Sequence, residues 1–256
     1  MSDDFEKLFG PVVGHGSQAT VYAKGDYAVK LYREGYLKTS VFSESYIMAN
    51  LERMDFPGPK VYEVLLVNGR YGLRMDRVKG ASMLKDFHVG DAESCKKTLD
   101  ALVDIQCRLQ GYEQSRWAPD LKQRFYDDLT RNESLSAGLR EKLLQLLAGL
   151  PDGEALCHCD FHPDNVFFDG ENYTIIDLLQ ISRGDPAADA ACSYTAYSFG
   201  NHDIAEYYLA RYCAVSGIPE EHVRRWLTVY AGTLLGQVPE ELTPIVKQFL
   251  APAGVF

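Results

Sequence analysis

The chain changes texture once, near residue 80, and that single change limits what it can fold into. Before it, short β-rich runs follow one another: Val12-Val13, Thr20 to Ala23, Tyr27 to Tyr32, Val61 to Val67 and Tyr71 to Met75. Gly25-Asp26 and Asn68-Gly69 fall between such runs, and Asn-Gly between apolar strands is a strong hairpin signal. One helix is predicted between the hairpins, from about Ser40 to Arg53, stopping before Pro57-Gly58-Pro59. After Gly80 the apolar period becomes helical, over Ala92–Gln110, Ser136–Leu150, Ala187–Phe199, Asp203–Ser216, Pro219–Leu235 and Glu240–Leu250. In the first of these Cys95, Leu99, Leu102, Gln106 and Leu109 share a face, and in the second Leu139, Leu143, Leu146 and Leu150 do. Two short β-runs, Val166 to Phe168 and Tyr173 to Ile176, interrupt the helices, with Gly170 between them. The expected class is α+β, a small antiparallel sheet with one helix followed by a larger helical part, with the boundary at Asp76 to Gly80. A chain of 256 residues can bury the cores of two such lobes.

Charge divides at the same place. Residues 1–80 carry 11 basic and 10 acidic side chains, whereas residues 81–256 carry 15 and 26. A net charge of -10 repels a phosphate backbone and argues against a nucleic-acid binder that relies on bulk charge. The six cysteines are scattered, the N-terminal sequence has no basic and apolar leader, and no stretch is apolar enough to span a bilayer. The expectation is a cytoplasmic protein with reduced thiols.

Chemistry-bearing residues lie on both sides of the boundary. Gly14-His15-Gly16-Ser17 sits between two strands, not between a strand and a helix. That context disfavours a dinucleotide-binding turn and favours a hairpin whose backbone N–H groups cover phosphates. Strand alternation puts Ala28, Lys30 and Tyr32 on one face. In the following helix Glu44 falls in the stripe of Val41, Met48 and Leu51. A carboxylate on an apolar face needs a partner, and Lys30 is the natural one. The alternatives are a carboxylate stabilised by the helix dipole, or Glu52 in the same role.

The second cluster is Cys157-His158-Cys159-Asp160-Phe161-His162-Pro163-Asp164-Asn165, followed by Ile176-Asp177. Phosphoryl transfer needs a carboxylate to take the hydroxyl proton and hard oxygen ligands for Mg²⁺. Zinc is the competing reading, but Cys-x-Cys is not a zinc knuckle and no second pair lies nearby. A cysteine nucleophile has no specific support. The order of glycine loop, strand Lys, helix Glu, His-x-Asp-x-x-x-x-Asn and Asp is the order of the kinase signatures.

On these residues, together with Met75-Asp76-Arg77-Val78-Lys79-Gly80 and Arg183-Gly184-Asp185-Pro186-Ala187-Ala188-Asp189, the chain resembles the aminoglycoside phosphotransferase/choline kinase-type family from about residue 10 to 195. The resemblance implies a bilobal protein-kinase-like fold, with residues 1–79 as a nucleotide-binding lobe, a hinge at about 75–80, and residues 80–256 as a helical catalytic and substrate-binding lobe. It implies that Asp160 is the catalytic base and that Asn165 and Asp177 bind Mg²⁺. Gly14, Gly16, Ser17, Lys30, Glu44, Met75, Asp76 and Val78 would serve ATP or GTP. His158, Asp185 and Asp189 would brace the catalytic loop. The chain departs from protein kinases at Ala19 in place of a third glycine, at His162, at Leu178-Leu179 after Asp177, and in lacking an activation segment. These departures argue against a protein substrate. The implied activity is transfer of the nucleotide γ-phosphate to a hydroxyl of a small molecule, an aminoglycoside or similar acceptor. The alternative is a nucleotide-binding regulator on the same fold without turnover. The acidic C-terminal part points to a cationic acceptor, against neutral sugars or alcohols, with the helix near Asp120 to Thr130, the loop around Asp160 to Asn165, and the C-terminal helices carrying Tyr207, Tyr208, Trp226 and Tyr230 as candidate lining.

Overall fold

The computed structural model describes residues 2–87, 91–112 and 115–254. Two compact units divide the chain. One comprises the N-terminal residues to 83 together with 164–179, and the other 84–163 together with 180 onward.

The first unit is built on an antiparallel five-stranded sheet, spatial order β1-β2-β3-β5-β4. Its strands are β1 (Val12–His15), β2 (Ala19–Lys24), β3 (Tyr27–Tyr32), β4 (Val61–Val67) and β5 (Arg70–Asp76). Asn68 and Gly69 both take positive φ, 50° and 76°, as the tight turn between β4 and β5 demands. Helix α1 (Ser2–Phe9), absent from the sequence reading, brings Phe5 and Phe9 against Tyr22, Val29 and Leu31 on one face of the sheet. Helix α2 (Lys38–Glu52) follows β3 and buries Val41, Glu44, Ile47, Met48 and Leu51. A second, three-stranded sheet runs β6-β8-β9. It joins β6 (Ala81–Ser82) to β8 (Val166–Phe168) and β9 (Tyr173–Ile175). The Ile175 amide also bonds Pro57 O at 2.7 Å. Residues 164–179 are thereby tied to the N-terminal sequence, a link that a single cut near residue 80 does not contain.

The second unit is helical: α3 (Ala92–Gln110), α4 (Leu121–Arg131), α5 (Ala137–Ala148), α6 (Pro186–Gly200), α7 (His202–Ser216), α8 (Glu220–Leu234) and α9 (Thr243–Leu250). Asp91, Asp120, Ser136, Asp185 and Asn201 cap five of these helices with side-chain oxygens. Helix α6 is buried nearly all round, and its alanines 187, 188, 190 and 191 let α7 and α8 pack close to its axis. Further features differ from the sequence reading. The buried leucines of α5 include Leu147, with Leu146 half-buried. The expected last helix is a 3-10 turn, Glu240–Leu242, followed by α9. A two-stranded ribbon, β7 (Ala155–Cys157) with β10 (Ser182–Gly184), was not anticipated. It sets the chain up to enter the Cys159-Asp160 loop. Among the described residues no helix is long and apolar enough to cross a membrane.

Candidate active-site residues

In the first unit the turn after β1 is closed by the Gly16 amide, which donates to Ala19 O at 2.9 Å. The far side of this turn is anchored where Tyr36 Oη donates to Gln18 Oε1 and the Arg33 amide to Gln18 O. A Cβ on Gly14 or Gly16 would meet its nearest neighbour at 3.8 or 3.6 Å, which is ordinary contact. The fold itself therefore makes no demand for glycine at either position. Ser17 lies in the same turn and is exposed.

Lys30 pairs in register with Val21 on one side and Leu73 on the other. Its Nζ donates to Glu44 Oε1 at 2.7 Å and to Asp177 Oδ1 at 3.2 Å. Burial disfavours the ammonium, but the carboxylates of Glu44 and Asp177 more than offset it, and the Lys30 pKa is raised. Glu44 is only 3% exposed. Its second oxygen accepts from Tyr32 Oη, and burial and this carboxylate push the phenol pKa upward. Glu52, the alternative partner, instead accepts from the Val61 amide at 2.7 Å. Asp177 takes the left-handed conformation, φ 56°, and follows the Ile176 amide that donates to Asn165 O at 2.9 Å. Lys30, Glu44, Asp177 and Asn165 are thus brought together within this unit.

Met75 and Asp76 end β5, and Val78 follows it. The Asp76 carboxylate accepts from Tyr62 Oη at 2.6 Å and the Lys60 amide at 3.1 Å. The Asp76 side chain is thus engaged within the protein.

In the second unit Asp160 lies on a loop whose preceding residue is strained. Cys159 has φ 63°, a conformation costly for a residue with a Cβ and no short polar arm. The strain is held by Asp189: its Oδ1 accepts from the Cys159 amide at 2.6 Å, and its Oδ2 from Gln106 and Gln110 side chains, each at 2.8 Å. Asp185 caps α6 through the Ala187 amide and meets His222 Nε2 at 2.6 Å and Trp226 Nε1 at 3.0 Å. His158 is fully buried, edge-on to Phe161. The Asp160 carboxylate is 41% exposed and 3.5 Å from His162 Nε2.

Asp160 also lines a cavity of about 560 Å³ within this unit, walled chiefly by Arg124, Asp128, Arg131, Gln180 and Tyr230. Of the four aromatic residues named from the sequence, Tyr230 alone is among its lining residues. Tyr208 and Trp226 are core, and Tyr207 donates to Asp100 at 3.0 Å. The sequence reading did not single out Arg124, whose helical spacing resembles that of any surface arginine.

Nothing in these residues conflicts with Mg²⁺. Among the described residues no cluster of three or more His, Cys, Asp or Glu could hold a metal alone. An Asn and an Asp supply oxygen only, as suits a cation that completes its shell with phosphate and water.

An antiparallel sheet bearing a Lys–Glu pair, joined in sequence to a helical unit, defines a protein-kinase-like phosphotransferase fold. The chain belongs to the phosphotransferase enzyme family, the family of APH enzymes, whose model matches residues 11–227. It is accordingly a kinase acting on a hydroxyl group. No curated protein matches the sequence. Its fold is similar to that of a thermostable mutant of aminoglycoside phosphotransferase APH(4)-Ia, solved with ADP and hygromycin B. The TM-score is 0.65 at 13% identity, covering 98% of this chain and 96% of that one. It is also similar to APH(3'')-Id from Streptomyces rimosus in complex with ADP and streptomycin, with TM-score 0.61, 19% identity and coverage of 90% and 96%. Choline kinase LicA from Streptococcus pneumoniae has TM-score 0.64, 17% identity and coverage of 98% and 97%. At these identities the likeness is one of fold.

Proposed function

We propose that the protein transfers the γ-phosphate of ATP to a hydroxyl of a small molecule, with Asp160 as the base. The observation that carries this reading is Lys30, bridging Glu44 at 2.7 Å and Asp177 at 3.2 Å. A cation fixed by one buried carboxylate and shared with a more exposed one is poised to receive nucleotide phosphates. The glycines of the first turn support the reading from another side, since the fold has no need of them and a close-lying phosphate does. In this scheme the backbone amides around Gly14, Gly16 and Ser17 cover the phosphates, and the backbone of Met75 to Val78 meets the base of the nucleotide. Asn165 and Asp177 would hold Mg²⁺, which neutralises charge on the phosphates when bound. Asp160 accepts the proton of the acceptor hydroxyl as that oxygen bonds to the γ-phosphorus and the bond from the γ-phosphorus to the bridging oxygen breaks, so that ADP leaves. Asp189 and Asp185 hold the loop that carries Asp160, and His158 packs beneath it.

The acceptor is a hydroxylated small molecule. The bulk charge of residues 81–256 would draw an amino-sugar type, but the groups that line the acceptor cavity, not bulk charge, select among acceptors. The reading is tested by following Mg-ATP consumption and phosphorylated product in parallel. Asp160→Asn is expected to bind Mg-ATP as the wild type does and to turn over about 10²–10⁴-fold more slowly. An Asn variant at wild-type rate removes Asp160 from its role.

A further inference from the structure

Most arginines of the helical unit that meet an acid are answered by two. Arg183 meets Asp120 and Glu154, Arg211 meets Asp100 and Asp104, and Arg224 meets Glu206 and Glu220. Arg140 spends Nε and Nη2 on the carbonyls of Leu129, Asn132 and Leu135, at and just beyond the end of α4. Arg124 differs. It is half-buried, and no carboxylate among the described residues forms an ion pair with it. Its three hydrogen bonds to oxygen all leave from Nη1, to Gln180 O at 2.8 Å, Gln180 Oε1 at 3.1 Å and Ser182 Oγ at 2.9 Å. The two-pronged edge that recognises a carboxylate or phosphate is not spent on protein oxygen. Asp128, one turn further along α4, draws on this guanidinium without forming an ion pair with it, the Cys159 side chain lies within its reach, and all three border a cavity.

The rest of the wall sharpens the point. Asn132 gives its amide to Gly232 O and Leu235 O, and Thr233 gives its hydroxyl to Tyr230 O. Phe125 and Tyr230 stack at 5.5 Å, an apolar side of the cavity. The charged groups left are Arg124, Asp128, Asp160 and Arg131, the last of which also meets Asp127 at 3.4 Å. Burial raises the Asp128 pKa, against the pull of Arg124 and Arg131. Asp160 is committed to the acceptor hydroxyl. What remains with hydrogen-bonding edge to spare for a substituent is the Arg124 guanidinium, although residues 81–256 as a whole are acidic.

We propose that this cavity selects a hydroxylated acceptor bearing an anionic group, a carboxylate or a phosphate, held by the Arg124 fork with Arg131 at the rim. The inference rests on the kinase reading and specifies its acceptor. Its volume suits a molecule of sugar-acid size. Arg124 is a specificity-determining residue here, since it touches the acceptor away from the transferred group.

The test offers the full chain and Mg-ATP four matched series: neutral sugars and polyols, their amino derivatives, their carboxylic acids and their monophosphates. Product is read by mass spectrometry. Turnover is expected in the acid or the monophosphate series, and the better of the two identifies the anion. Arg124→Lys keeps a charge and loses the fork. It should raise KM for that acceptor about 10- to 100-fold, the worth of a charged hydrogen-bonded pair, with KM for Mg-ATP unchanged. Arg131→Gln, at an exposed position, should raise the acceptor KM by a smaller factor, and it serves should Arg124→Lys disturb the Gln180–Ser182 loop. Turnover confined to the neutral or amino series overturns the inference and leaves the kinase reading standing. An acceptor KM unmoved in both variants does the same, as does intact Mg-ATP binding with no product in any series. Loss of both Mg-ATP binding and all turnover is failure of the kinase reading, and the inference falls with it.

Discussion

The two units bury carboxylates in opposite ways. Glu44, in the sheet unit, answers a cation: Lys30 on one oxygen and the Tyr32 phenol on the other. Asp189, in the helical unit, answers no lysine or arginine among the described residues. Two glutamine amides and the Cys159 backbone amide share its oxygens. Asp185 is similar, held by a backbone amide and the ring nitrogens of His222 and Trp226. The difference separates a group that can exchange partners from one that cannot. Lys30 also reaches Asp177, whose side chain is 48% exposed, so its charge can be redistributed when phosphate arrives. The donors around Asp189 are fixed by helix and backbone, and their arrangement holds a strained Cys159 next to Asp160.

The largest effect expected from breaking this contrast is at Asp189. Asp189→Ala strips the Cys159 amide of its acceptor and takes one acceptor from each of the Gln106 and Gln110 amides, which keep Ser193 Oγ and Pro186 O, at a position with no solvent access. The loss should be about 3–5 kcal/mol, measured by urea denaturation. Asp189→Asn keeps one acceptor oxygen and should lose less stability, while lowering turnover more than it weakens Mg-ATP binding. Equal stability of wild type and Asp189→Ala would mean that the carboxylate does not hold the loop.

Much of the first cluster was legible because it obeys periodicity. Lys30 falls on a strand face by alternation, and Glu44 stands out as a carboxylate in an apolar helical stripe. The second cluster obeys none. Helix α6 is buried nearly all round, so no polar face marks Asp189, and its partner Cys159 lies 30 residues away on a loop. The motif at 184–189 could suggest bracing only by resemblance, and it did not say which amide was braced. Strands β7 and β10 have three residues each, too few for alternation to register. The attachment of residues 164–179 to the first unit depends on pairing with Ala81-Ser82, some 80 residues earlier in the chain. Aromatic residues at helical spacing misled in the usual direction, since Tyr208 and Trp226 fill the core. The cavity arginine, Arg124, carries no local signature, because its spacing on α4 is that of any surface arginine.

Lys30 tests the exchangeable side of the comparison. Lys30→Ala leaves Glu44 with a phenol as its hydrogen-bond donor, at a cost of about 1–3 kcal/mol in stability. Mg-ATP binding should weaken as well. A paired variant, Lys30→Met with Glu44→Met, removes both charges and should recover most of that stability, since two apolar side chains need no counter-charge. It should recover none of the activity. Recovery of both would reduce the ion pair to a packing device.

Tyr32→Phe should have the smallest effect and probes the same carboxylate from its other oxygen. Tyr32 is fully buried, so the ring must be kept to avoid a cavity. Phenylalanine keeps it, along with its stacking on Tyr36 at 4.6 Å. Only the hydroxyl that donates to Glu44 is lost. The Lys30 bond at 2.7 Å remains, so the carboxylate is not stranded, and the cost should be about 1–2 kcal/mol, below that of Lys30→Ala. With its phenol gone, Glu44 has more negative charge to offer Lys30. The lysine should then be less free to move toward phosphate, and KM for Mg-ATP should rise slightly while the acceptor KM stays constant. Urea denaturation and steady-state kinetics on the one variant check both halves. A stability loss equal to that of Lys30→Ala would show that phenol and ammonium contribute alike, and the exchangeable character assigned to the sheet unit would have to be given up.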